Sequence, residues 1–143
     1  MNQTIVFAGG CFWGTEHFFR QIRGVVETRV GYANGETPNP TYEKVKTGET
    51  GYAEAVKVSY DPEILPLEKL ISLYLETVEP TSVDRQGPDI GPQYRTGIYT
   101  LGEGDRLVAD RALEELGKRY REPIAVESLP LDSFFPAEEY HQR

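Results

Sequence analysis

The chain of 143 residues holds a single cysteine, Cys11, with only two histidines, His17 and His141, and one tryptophan, Trp13. One thiol excludes an intrachain disulfide, and Cys11 with two histidines is a poor ligand set for structural zinc, so no metal site is expected. Basic residues are also scarce: 15 Lys and Arg face 23 Asp and Glu, for a net charge of −8. That balance argues against a phosphate-backbone partner, because nucleic-acid binders concentrate positive charge. No apolar run approaches the roughly 20 residues needed to cross a bilayer. Met1–Asn2–Gln3–Thr4 lacks the basic and apolar segments of a signal peptide, so a cytoplasmic location is expected. What remains is ordinary: 38% hydrophobic and 27% charged residues, with no repeat, low-complexity tract or linker. One globular domain over residues 1–143 is expected.

Periodicity orders that domain. Thr4–Ala8 is a short apolar run, read as a buried strand, and Gly9–Gly10 breaks it. Phe12, Thr15, Phe19 and Ile22 then recur at helical spacing. Val25–Tyr32 reads as a second strand, Ala33–Thr41 as a loop rich in Asn, Gly and Pro, and Tyr42–Gly48 as holding one helical turn. Tyr52–Tyr60 alternates, with Tyr52, Glu54, Val56, Val58 and Tyr60 on one face. Leu67, Leu70, Ile71, Tyr74, Leu75 and Val78 mark a second helix, and Ala109, Leu113, Leu116 and Tyr120 a third. Between them Pro80–Tyr94 is an aperiodic loop, of the length that is functional or disordered in compact domains. Thr96–Leu101 and Ile124–Leu129 read as strands, and a turn begins at Pro136. This order predicts an α+β fold, an α/β two-layer sandwich in which helices pack on a mixed β-sheet.

Two residues carry chemical meaning. Cys11 falls where a strand ends and a helix begins, beside unpaired backbone N–H groups that favour a thiolate, so its pKa is expected below the free value. The same turn also suits a small buried cysteine, and on these features the two readings are equally good. Phe12 and Trp13 follow at once. Phe12 reads as core, while an exposed pair would form an apolar cup for a methyl-bearing ligand. Glu54 lies on the strand face expected inward. A buried carboxyl has a raised pKa and can serve as a general acid, although on pattern alone a strand-end glutamate at a sheet edge, reaching water, fits slightly better because register is easily shifted by one residue. A cysteine hydrolase would need an imidazole, but His17 lies six residues after Cys11 and points away on a helix, and His141 cannot be placed. A module that only binds oxidised methionine is a further alternative.

Six segments, in order, resemble the A-type peptide methionine sulfoxide reductases: Gly9–Gly14, Gly24–Gly35, Pro38–Val45, Thr50–Pro62, Arg85–Tyr99 and Phe134–Gln142, the first reading GGCFWG. The resemblance implies a ferredoxin-like-related sandwich and a repair enzyme of oxidative-stress defence, acting on the S epimer of methionine sulfoxide, free or in proteins. It implies Cys11 as nucleophile, Glu54 as the acid, Tyr42 and Tyr94 as hydroxyl donors, and Phe12, Trp13 and Asp89 as substrate-binding residues. It implies no cofactor, only an external thiol: thioredoxin, glutaredoxin, glutathione or dithiothreitol. A monomer is expected. Two departures stand out. Tyr52 replaces a histidine common in the family, with little expected effect. The resolving cysteine of many members is missing, and Lys46 stands where some have an internal one. Either the enzyme uses a single cysteine, which is the expectation, or a tail has been lost.

Overall fold

The computed structural model describes residues 1–138. Among these residues eight strands and four helices follow one another: β1 (Gln3–Ala8), α1 (Phe12–Arg20), β2 (Val25–Ala33), α2 (Tyr42–Val45), β3 (Ala53–Tyr60), α3 (Leu67–Leu75), β4 (Arg85–Gln86), β5 (Asp89–Ile90), β6 (Gly97–Thr100), α4 (Glu103–Gly117), β7 (Glu127–Pro130) and β8 (Phe134–Pro136). A 3-10 turn, Pro92–Tyr94, precedes β6. Six strands form one sheet in the order β7-β6-β1-β3-β2-β8, and β4 and β5 pair separately as a small hairpin. Only β6 and β7 run parallel, across the α4 crossover, so the sheet is mixed. The α+β architecture expected from the sequence is the one observed.

Alternation along the strands separates two apolar clusters. Ile5 and Phe7 of β1, Val30 and Tyr32 of β2, and Val56 and Val58 of β3 face the main core. All four helices contribute to that core, through Phe19 of α1, Val45 of α2, Leu70, Ile71 and Tyr74 of α3, and Ala109 of α4. Helices therefore cover one face, giving two layers. The opposite face carries a smaller cluster of Val6, Ala8, Ala33, Ala53, Ala55 and Tyr99, against which Leu131 and Phe134 pack.

Three segments differ from their sequence reading. Pro80–Tyr94 is not structureless, since it holds the β4–β5 hairpin and the 3-10 turn. Two-residue strands are too short to show a period. The strand expected at Ile124–Leu129 begins later, at Glu127. Pro136 closes β8 rather than opening a turn; β8 is the outer strand beside β2, where a missing N–H is tolerated.

Candidate active site

Strand register brings the thiol and the acid together. Ala8, the last residue of β1, pairs with Ala55 of β3. Glu54 therefore lies one residue beyond the end of β1, where the chain turns through Gly9 and Gly10 into Cys11. Gly10 has φ of +83°, and a Cβ there would meet Cβ of Gln86 at 3.0 Å. The position favours glycine on both counts. Cys11 caps the N-terminus of α1, and the Thr15 hydroxyl donates back across the turn, 3.1 Å from the Gly9 carbonyl and 3.3 Å from that of Cys11. Beneath the turn the buried Tyr74 hydroxyl donates to the Ala8 carbonyl and accepts from the Gly97 N–H at 3.1 Å.

Glu54 is only 1% exposed, on a strand flanked by β1 and β2, so the reading as a sheet-edge glutamate is ruled out. The Phe12 N–H donates to its Oε1 at 3.3 Å, while Oε2 is buried with no hydrogen-bond partner among the described residues. An unpaired buried carboxylate oxygen is costly as an anion and better tolerated as a neutral acid. Burial, opposed by the Phe12 hydrogen bond and reinforced by Asp89, lifts the carboxyl to about 7. The atom free to meet a ligand thus belongs to a group that readily holds a proton at neutral pH.

Cys11 behaves differently from its sequence reading. The amides of Trp13 and Gly14 do pull its pKa down, as the helix start predicts, but burial outweighs them and the negative charge of Glu54 adds to the rise. The resting group is a thiol held above its ordinary value. It is half-buried and lines a cavity of about 380 Å³ with Gly10, Phe18, Thr77, Gln86 and Asp89. Asp89 lines the same cavity from the β4–β5 hairpin, and its charge also raises Cys11.

The aromatic residues do not form an exposed pair. Phe12 is buried at 1%, whereas Trp13 is 44% exposed, with ring centroids 5.9 Å apart. Phe12 also lies against Tyr42 at 6.3 Å and Tyr32 at 6.0 Å within the protein, while Trp13 beside it reaches solvent. Tyr42 begins α2 and Tyr94 ends the 3-10 turn. Burial, reinforced by the charges of Glu54 and Cys11, raises both phenols, Tyr94 to about 12, so both keep their protons at neutral pH. Tyr52 is buried, donates to the Thr37 carbonyl, and packs so closely over Gly35 that a Cβ there would lie 2.0 Å from its ring. It anchors the loop before α2.

His17 is exposed on α1, and His141 lies outside the described residues. Among the described residues no group of three or more His, Cys, Asp or Glu is placed to hold a metal ion, and no helix is long and apolar enough to cross a membrane. Two residues near the tyrosines had no assigned role in the sequence reading: Gln93, whose Nε2 donates to the Lys46 carbonyl at 2.9 Å, and Glu138, which accepts from the Tyr42 N–H. Glu138 falls within the family-like segment Phe134–Gln142, but only its charge after Phe134–Ala137 marks it within that segment.

A thiol beside a protonatable carboxyl and two phenols defines a site for thiol-based redox chemistry. Comparison with known proteins gives the family. Residues 3–143 match the family described as peptide methionine sulfoxide reductase. A peptide methionine sulfoxide reductase MsrA of Lachnoclostridium phytofermentans is 57% identical over 143 residues, covering 100% of this chain and 86% of the relative. The reduced form of Mxr1 from Saccharomyces cerevisiae superposes with a TM-score of 0.93 at 38% identity, over 99% of this chain and 82% of that one. Mxr1 in complex with Trx2 matches with a TM-score of 0.66 at 28% identity, over 96% and 82%. The chain belongs to the A-type peptide methionine sulfoxide reductase family. It is an oxidoreductase.

Proposed function

We propose that the protein reduces methionine S-sulfoxide, free or in proteins, with Cys11 as nucleophile and Glu54 as proton donor. The observation that carries this reading is the buried Glu54 carboxyl, one oxygen tied to the Phe12 N–H and the other unpaired, beside the turn that presents the thiol. A sulfoxide sulfur is a weak electrophile until its oxygen is protonated or strongly hydrogen-bonded, and Glu54 with the hydroxyls of Tyr42 and Tyr94 meets that need. Phe12 and Trp13 receive the methyl group, and Asp89 borders the thiol.

Between about pH 7 and the raised value of Cys11, Cys11 and Glu54 share one proton between them. In the reacting form that proton is on Glu54 and the charge on Cys11. The thiolate attacks the sulfoxide sulfur and Glu54 protonates the oxygen. The substrate S–O bond and the transient Sγ–sulfur bond both break as the protonated oxygen passes to Sγ of Cys11, so methionine leaves and Cys11 is left as a sulfenic acid. Two electrons pass from cysteine to substrate. An external thiol then displaces that hydroxyl as water to form a mixed disulfide, and a second thiol frees Cys11. A dithiol supplies both steps, and the Mxr1 complex with Trx2 supports a thioredoxin in that role. No prosthetic group enters this cycle. We place the enzyme in the cytoplasm, as a monomer of one domain over residues 1–143.

The test is mass spectrometry after methionine S-sulfoxide is added without reductant. One added oxygen on Cys11 and one equivalent of methionine are expected, and neither with Cys11→Ser. An active Cys11→Ser protein would refute the mechanism. Turnover with dithiothreitol or thioredoxin is expected to exceed that with a monothiol; failure of every reductant beyond one turnover would refute the single-cysteine cycle.

A further inference from the structure

Helix α2 has four residues, far below the length at which a helix is stable alone in water. Its position must come from outside it. At its start the Tyr42 N–H lies 3.1 Å from Oε2 and 3.2 Å from Oε1 of Glu138, and Oε1 also accepts from the Tyr32 hydroxyl at 2.9 Å. Tyr32 is fully buried on β2 and pairs in register with Glu54. One carboxylate thus ties the first residue of α2 to the strand neighbour of the acid. Past the last residue of α2, the Lys46 carbonyl accepts from Gln93, which is 5% exposed and directly precedes Tyr94. A carboxylate at a helix start is also electrostatically favourable.

We propose that Glu138 is a positioning residue for Tyr42: its carboxylate fixes the start of α2 and hence where the Tyr42 hydroxyl meets the substrate oxygen. This rests on the reading of Tyr42 as a hydroxyl donor. Glu138 acts through the Tyr42 backbone and touches no substrate. The geometry explains why an acidic residue follows β8: Ala137 N–H still bonds the Val30 carbonyl at 3.0 Å, and the next side chain reaches across Tyr32 to α2. The Gln93 bond to Lys46 and the Thr41 side chain that accepts from the Lys44 N–H at 3.3 Å do not involve Glu138, so changing it should cut the tie between Tyr42 and Tyr32 while α2 keeps its other bonds.

The experiment measures the single-turnover release of methionine by Glu138→Ala and Glu138→Gln, each with and without Tyr42→Phe. Glu138→Ala is expected to slow the step on the order of tenfold, less than the ~100-fold that a 1 Å misplacement can cost. Half-saturation by substrate should change less than about twofold, since Tyr42 acts on the breaking bond. Glu138→Gln keeps one acceptor oxygen and should recover much of the rate. In the Tyr42→Phe background, removing Glu138 should cost less than about twofold more, because the hydroxyl it aims is gone. A full-sized further loss there would make Glu138 a general support of the fold and overturn the proposal. An unchanged rate in Glu138→Ala, with Tyr42→Phe slow, would overturn it alone. If Tyr42→Phe is as fast as the unaltered enzyme, the donor role of Tyr42 fails and the proposal with it.

Discussion

The backbone N–H of Phe12 donates to Oε1 of Glu54 at 3.3 Å, so the residue after Cys11 holds the carboxyl. The bond occupies one oxygen and leaves Oε2 without a partner among the described residues. Cys11 and Glu54 therefore share a backbone reference, and a shift of the Cys11 turn moves both.

The first prediction concerns the acid itself. Glu54→Gln keeps a hydrogen-bond donor but has no proton to give. Its reductive step is expected to be slower by on the order of tenfold, a fraction of the ~100- to 10,000-fold usual for general acid–base catalysis. In the unaltered enzyme the rate should rise as pH passes about 7, where Glu54 and Cys11 come to share one proton, and fall above the raised value of Cys11. Glu54→Gln should lose the rise at 7 and follow the thiol alone. Stopped-flow rates from pH 5 to 10 decide it; an unaltered profile in the variant removes Glu54 from the acid role.

Stability supplies a second readout of the same carboxyl. Its folded value, about 7, lies above the ordinary glutamate value of 4.5, so the folded state binds the proton more tightly than the unfolded chain. The resulting stabilisation is full below pH 4.5 and is lost as pH rises to 7 and beyond. At ~1.4 kcal/mol per pKa unit this loss amounts to roughly 3 kcal/mol. Urea titrations of Glu54→Gln against the unaltered protein at pH 5 and pH 8 should show the variant gaining relative stability at the higher pH. A constant difference would show that burial does not perturb Glu54.

Gly10→Ala tests the turn that presents the thiol. The new Cβ would sit at φ of +83° and 3.0 Å from Gln86, whose side chain bonds both backbone groups of Glu79. A left-handed non-glycine residue costs about 1–2 kcal/mol. Thermal unfolding should register that loss, and Cys11 should alkylate at a changed rate as Gln86 is displaced from the cavity beside it. An unchanged melting temperature would show the turn to be free of strain with alanine.

Tyr74→Phe should act on folding without touching substrate. The hydroxyl satisfies the Ala8 carbonyl and the Gly97 N–H, both buried. Removing it takes a buried hydrogen-bond partner from each and should cost about 1–3 kcal/mol in chemical denaturation. A loss below ~0.5 kcal/mol, within the range of surface substitutions, would mean that water takes its place.

The fold was legible wherever a period could run. Alternation over Tyr52–Tyr60 placed Glu54 on the inner face, and helical spacing found α1, α3 and α4. The β4–β5 hairpin was not legible, because strands of two residues carry no alternation. The thiol of Cys11 was misjudged in one direction: the helix-terminal amides were counted, but burial, visible only once α1 packs, outweighs them. Glu138 was hidden for another reason. Its partners, Tyr32 and Tyr42, lie 106 and 96 residues away in the chain, and nothing local marks a carboxylate as a capping group for a distant helix.

Glu54 sits on β3, a strand paired with β1 and β2, whereas Tyr42 and Tyr94 sit on a four-residue helix and a three-residue turn. Segments with few backbone partners open locally long before a central strand does. The amides of β3 from Ala55 to Val58, which face both neighbours, should therefore exchange their hydrogens among the slowest in the protein, and those around Tyr42 far sooner. On gentle heating, sulfoxide reduction should fade while the sheet is still intact, and return fully on cooling.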